Sequence, residues 1–238
     1  MQSPTLLPDA PFQPRPVSTI VIGDEVSIPA WIHDLESYRR WARSDDYPSR
    51  GWFSYLNGVV WVDLSMEQLF THNQVKGEVA FGITVLLKQL PMGRYFHDRT
   101  LLSNTKADLS TEPDGLFYHH DTLRSGRIRL IEGATRGYVE LEGSPDMVLE
   151  VVSDSSVRKD NEVLPVLYWR AGIQEYWLID ARGPQFVFNI LRYTPEGYVP
   201  VPAEDGWLPS AVFGRSFRIT QQSDPLGHPQ YTLSFRPA

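Results

Sequence analysis

At 238 residues the chain is long enough for one domain with a sizeable core and too short for two large ones, and 42% hydrophobic with 21% charged residues excludes a mainly disordered or fibrous protein. Lys and Arg number 22 against 29 Asp and Glu, a formal net charge of −7, so bulk charge does not attract polyanions and a nucleic-acid partner needs a local basic groove. The absence of cysteine excludes disulfides, thiolate metal sites and cysteine nucleophiles and favours a cytoplasmic location, while no apolar run approaches the roughly 20 residues of a membrane helix, so no membrane partner is expected.

Pro4, Pro8, Pro11, Pro14 and Pro16 remove backbone donors from the first 18 residues and predict a flexible tail or strap. Residues 1–33 read as an N-terminal extension, 34–220 as the main domain and 221–238 as a C-terminal tail. Between Asp34 and Arg43, Leu35, Tyr38 and Trp41 share one helical face, with Asp34 placed to cap the free amides. WFSYL and VVWVDL flank Asn57-Gly58, two residues that tolerate positive φ, and predict a tight hairpin. Residues 66–90 lack proline and repeat Phe70, Val75, Val79, Ile83, Leu86 and Leu90 at helical steps, which predicts the longest helix.

From Arg94 to Leu149 strands alternate with turns, GRIRLIEG and RGYVELEG forming a second hairpin. PDMVLEVV is apolar except at Asp146 and Glu150, the pattern of a strand buried on both faces. Val157 to Ala171 fits a helix closed by Gly172, with Pro165 either in its first turn or at a kink. EYWLID, QFVFNILRY and GYVPV read as strands, whereas Phe217 to Ala238 carries little signal.

Glu150 is the most informative residue, because an ionised carboxylate inside VLEVV costs several kcal/mol unless a cation or donors meet it. Asp146 shares its face but lies about 13 Å away along an extended strand, too far to clasp the same ion. Asp114, in EPDGLFY near the start of a strand of similar character, is the better partner. Together Asp114 and Glu150 suit one Mg²⁺ or Mn²⁺, completed by a backbone carbonyl and waters.

The run SPDMVLEVVSDSSVRKD followed by LYWRAGIQEYWLID resembles the Uma-type restriction endonucleases, a bacterial family within the PD-(D/E)XK nuclease superfamily. The resemblance is strongest over residues 144–180 and extends loosely from Asn57-Gly58 to Ile219. It implies an α/β protein with a restriction-endonuclease-like core, a mixed β-sheet flanked by helices, carrying added β-hairpins. It also implies that Asp114 and Glu150 are metal ligands and that Glu67 and His72, in MEQLFTHNQ, lie near the site. Two departures stand out: the superfamily's lysine two residues after the glutamate is Val152 here, and the position to which many members move it is Leu164. Lys159 is the remaining nearby amine.

The resulting expectation is a metal-dependent DNA endonuclease, for which a homodimer would serve both strands of a duplex, with Lys159 orienting water or stabilising the transition state and His72 or Glu67 assisting. Lys76, Lys88, Arg124, Arg127, Arg129 and Arg158 are available for phosphate contacts. A catalytically inactive interaction module is the alternative, supported by Val152, Leu164 and the negative net charge. In a further alternative Glu150 is a structural acid paired with an arginine, and a two-carboxylate glycosidase ranks last. Asp146 reads as structural, His97, His119 and His120 as edge or exposed residues, Tyr168, Trp169, Tyr176 and Trp177 as core or interface aromatics, and Ser153 to Ser156 as caps.

Overall fold

A computed structural model of the chain describes residues 19–22, 26–134 and 136–238. The proline-rich segment predicted as a tail or strap lies outside them. The elements are β1 (Thr19–Ile22), β2 (Val26–Pro29), α1 (Leu35–Ala42), β3 (Trp52–Leu56), β4 (Val59–Asp63), α2 (Gln74–Gln89), β5 (Gly93–His97), β6 (Leu101–Asn104), β7 (Leu109–Thr111), β8 (Gly115–His119), α3 (His120–Arg124), β9 (Ile128–Glu132), β10 (Tyr138–Gly143), β11 (Met147–Val151), α4 (Leu164–Ala171), β12 (Glu175–Asp180), β13 (Val187–Thr194), β14 (Gly197–Pro200), β15 (Leu208–Ser210), β16 (Arg215–Ser223) and β17 (Pro229–Pro237).

The architecture is mixed α/β with several sheets and few helices. One six-stranded sheet runs β14-β13-β12-β11-β8-β5, a second β4-β3-β7-β6-β10-β9, and β15-β16-β17 form a third. Both large sheets are mixed: β11 pairs parallel to β12, and β6 parallel to β10, among antiparallel neighbours. β11 sits inside its sheet and all of its residues are buried, as a nearly continuous apolar run requires. Met147, Leu149 and Val151 face a core with α2 and the β16–β17 hairpin, while Val148 faces a second core with α4. Glu150 shares the face of Val148, the side of α4.

α1 forms where its cap and apolar face predict. Asp34 takes an extended conformation and accepts from the Ser37 amide at 2.7 Å, while the Ser37 hydroxyl accepts from the Asp34 amide at 3.0 Å, a reciprocal capping box. The helix is docked by Arg39, whose Nε donates to Glu140 at 2.6 Å and whose terminal nitrogen donates to Glu142 at 2.7 Å, both on β10. Asp34→Ala is expected to lower the urea-unfolding midpoint. An unchanged midpoint would show that the buried face and Arg39 hold the helix without the cap.

The longest helix differs from the prediction at its start. Leu69–Asn73 winds as a π turn, the Asn73 amide bonding to the Gln68 carbonyl at 3.0 Å, before α2 begins. Phe70 leaves the core stripe and stacks on His228 with ring centroids 4.5 Å apart. A second π turn, Lys159–Val163, precedes α4. Pro165, which lacks the N–H for a regular bond back to residue 161, falls in the first turn of α4 just after the ladder has slipped. Gly172 closes that helix at φ 77°, a left-handed cap that glycine adopts without a Cβ penalty.

Residues 221–238, read as a tail with little signal, include β17, which pairs along its length with β16. Leu233 packs over Gly82 of α2, and its amide donates to Glu78 at 2.7 Å. Among the described residues, no helix is long and apolar enough to cross a membrane.

Candidate active site

β8 runs antiparallel to β11 with Gly115 opposite Leu149, so Asp114, one residue before β8, arrives beside Glu150 and Val151. The Val151 amide donates to Asp114 Oδ2 at 2.7 Å, which fixes the carboxylate at the strand pair. Glu150 is 2% exposed. Its Oε1 accepts from the Tyr168 hydroxyl at 2.6 Å, and its Oε2 lies 3.8 Å from Lys159 Nζ. Lys159 also stands 3.1 Å from Asp160 Oδ1, while the Ser156 hydroxyl holds the other Asp160 oxygen.

The entrance to α2 supplies the opposite side. His72 Nδ1 meets Glu67 Oε1 at 2.8 Å, and His72 Nε2 lies 3.6 Å from Asp114 Oδ2. Lys76, one turn further on, is paired with Glu67, lies 3.3 Å from Asp98 and 3.6 Å from Asp114, and is buried. His72 lies within the π turn that precedes α2. Asp114, Glu150, Lys159, His72 and Glu67 thus all line one pocket of about 130 Å³.

The electrostatics follow from crowding acids around few cations. Burial pushes the Glu150 carboxyl up to about 8, with Asp160 and Asp114 adding to the effect and Lys159 and Tyr168 opposing it. Burial also raises Asp160. Burial works against the Lys159 ammonium, but Glu150, Asp160 and Asp114 outweigh it and raise its pKa. Glu67 behaves oppositely: burial disfavours its charge, yet hydrogen bonds from Lys76, His72 and Asn73 pull it down to about 2.

Among the described residues, no three His, Asp or Glu side chains are spaced to hold a metal ion together. Asp114 and Glu150 nevertheless fit one hard dication, because Mg²⁺ characteristically takes one or two carboxylates and keeps waters or phosphate oxygens in its other positions. Burial, with Asp160 and Asp114 adding to it, raises the Glu150 carboxyl, and a dication held between the two carboxyl groups would favour its charged form.

Several sequence assignments change. Among the described residues, Glu150 has no arginine partner; Lys159 and Tyr168 meet it instead. Lys76, read as a phosphate contact, is enclosed by carboxylates, and Arg124, Arg127 and Arg129 are paired with Asp121, Asp146 and Glu142. Arg158 stands over the Trp61 ring at 5.6 Å. Asp146 has the structural surroundings expected of it, accepting from the His119 amide at 2.7 Å and from Arg127 at 3.1 Å. Tyr168 is a core aromatic whose hydroxyl also belongs to the site, and Trp52, Trp61, Asp63 and Glu112 line the pocket without having been singled out. The alternation that places Trp52 and Trp61 on one hairpin face was visible in the sequence, but what that face covers was not.

The fold is similar to that of a solved structure described as a putative nuclease of DUF820 from Anabaena variabilis ATCC 29413, with a TM-score of 0.51 at 20% identity over 76% of this chain and 90% of that one. No curated protein matches the chain. The profile of the Uma2 family, described as "Putative restriction endonuclease", matches residues 35–222, and the chain belongs to that family.

Proposed function

We propose that the chain is a metal-dependent endonuclease that hydrolyses phosphodiester bonds in DNA, built on a restriction-endonuclease-like core. The observation that carries this reading is the convergence of Asp114 and Glu150 from paired strands with the Lys159 amine at 3.8 Å from Glu150, all facing one pocket. Asp114 and Glu150 would hold Mg²⁺ or Mn²⁺, which when bound acidifies a coordinated water and offsets phosphoryl charge. Val152 and Leu164 are buried and apolar, so Lys159 takes the place of the lysine expected at either position. Its ammonium is positioned to orient the attacking water or to stabilise charge on the phosphoryl oxygens. Lys76 is the poorer candidate because carboxylates enclose it and it does not line the pocket. His72, oriented by Glu67, sits where it can exchange a proton at the edge of the site. A homodimer would present two such sites to one DNA molecule.

The test combines calorimetric titration of Mn²⁺ with incubation of circular single-stranded and duplex DNA in Mg²⁺ or Mn²⁺. The expected result is saturable Mn²⁺ binding that Asp114→Asn removes, and cleavage that EDTA stops. Neither binding nor cleavage in a folded wild-type protein would overturn the reading and leave the inactive interaction module, to which the apolar Val152 and Leu164 point.

A further inference from the structure

Opposite the carboxylates, the pocket has an aromatic wall that metal binding and proton transfer leave unused. β3 pairs with β4 so that Trp52 faces Asp63 and Ser54 faces Trp61. The two-residue period of the strands puts those four side chains on one face of the hairpin, and all four line the same pocket as Asp114 and Glu150. The wall is anchored to the site: Asp63 Oδ2 accepts from the Ser155 hydroxyl at 2.6 Å, and the Ser65 and Ser155 hydroxyls meet at 3.0 Å. Each indole is also held by a guanidinium, Arg99 over Trp52 at 5.1 Å and Arg158 over Trp61 at 5.6 Å.

Glu112 also lines the pocket. Indole faces and the Asp114 and Glu150 carboxyl groups therefore meet in one cavity.

Resting on the endonuclease reading above, we infer that the Trp52–Trp61 wall is a nucleobase subsite and that the substrate is an unpaired strand. The base adjacent to the scissile phosphate stacks on an indole while the phosphate lies at Asp114 and Glu150. In a duplex the base faces are occupied by their neighbours, so an aromatic wall beside the cleavage site gains a partner only from single-stranded or locally extruded nucleotides. Arg124, Arg127 and Arg129, read from the sequence as phosphate contacts, each meet a carboxylate.

The full-length chain and its Trp52→Ala, Trp61→Ala, Trp52→Phe and Trp61→Phe variants would be titrated with fluorescein-labelled oligodeoxythymidylate and with a duplex of equal length, in EDTA, by anisotropy. Cleavage of single-stranded, bubble and duplex DNA would be timed in Mn²⁺. The alanine variants are expected to bind the single strand roughly 10- to 100-fold more weakly. The phenylalanine variants should retain most of the affinity, and Mn²⁺ titration should be unchanged in all of them, which separates loss of stacking from loss of fold. Single-stranded and bubble DNA should be cut at least about 10-fold faster than duplex. Alanine variants that fold, bind Mn²⁺ and hold the single strand as wild type does would overturn the subsite, as would equal cutting of duplex. Single-strand binding that depends on the tryptophans without any cleavage would instead overturn the endonuclease reading and leave the base subsite standing.

Discussion

Glu150→Gln is expected to lower DNA cleavage by about 10²- to 10³-fold or more while leaving the fold intact and flattening the pH dependence of stability. The substitution is isosteric. The Tyr168 hydroxyl, 2.6 Å from Oε1, can still donate to the amide carbonyl, and Lys159 retains Asp160 at 3.1 Å. What is lost is the charge, and with it one of the two carboxylates proposed to hold the metal. In the wild type, burial pushes the Glu150 carboxyl up from 4.5 to about 8, so the native state holds this proton more tightly than the unfolded chain. Its contribution to stability is therefore full below about 4.5 and declines as the pH rises toward 8. Glu67 acts in a separate window: its pKa near 2 contributes stability above 4.5 that is lost as the pH falls. Thermal melts without metal between pH 5 and 9 should show the wild type losing stability with rising pH more steeply than Glu150→Gln. A residual slope from Asp160, which burial also raises, persists in both. Saturating Mn²⁺ should restore the alkaline stability of the wild type only. A variant that cuts DNA normally and melts with the wild-type pH slope would remove Glu150 from the site.

Much of this site was legible because it conflicts with its surroundings. A glutamate inside an apolar strand demands a partner, and Asp114 could be matched to it through the resemblance of two short motifs. The hairpin was equally clear, since Asn57 and Gly58 take φ values of 49° and 83°, which few other pairs accept. Lys76 was misread for a physical reason: its spacing on α2 says nothing about Glu67, Asp98 and Asp114, which reach it from other segments. The two π turns were hidden because one extra residue in a helical turn changes the hydrophobic pattern too little to notice. In the β16–β17 hairpin, Phe217 and Ile219 on one strand and Tyr231, Leu233 and Phe235 on the other do alternate. The polar run Thr220, Gln221, Gln222 and Ser223 interrupts the pattern, and the helix face that these apolar side chains cover is distant in sequence.

The sheet that positions Glu150 depends on its neighbour β12, and Trp177→Ala is expected to cost about 3–5 kcal/mol of stability. Trp177 is fully buried and pairs with Leu149 of β11. Its ring meets Phe217 at 4.8 Å, Phe188 at 5.4 Å and Phe213 at 5.6 Å, all edge to face, so truncation leaves a cavity between the central sheet and the C-terminal hairpin. The indole N–H also donates to Glu175 Oε2 at 3.0 Å. Glu175 is a buried acid that otherwise accepts from the Ser210 hydroxyl at 2.6 Å and the Ala211 amide at 2.7 Å, so the substitution removes one donor from a polar group that has no access to water. For a chain of this length each kcal/mol lowers the melting temperature by about 2–4 °C, which predicts a fall of roughly 10 °C. Trp177→Phe should recover part of the packing but not the hydrogen bond and fall between the two. Because Trp177 lies on the sheet face opposite Glu150, a folded Trp177→Ala protein below its transition should still bind Mn²⁺ if Asp114 and Glu150 hold it. A urea-unfolding loss below about 1 kcal/mol would mean that the core closes around the gap.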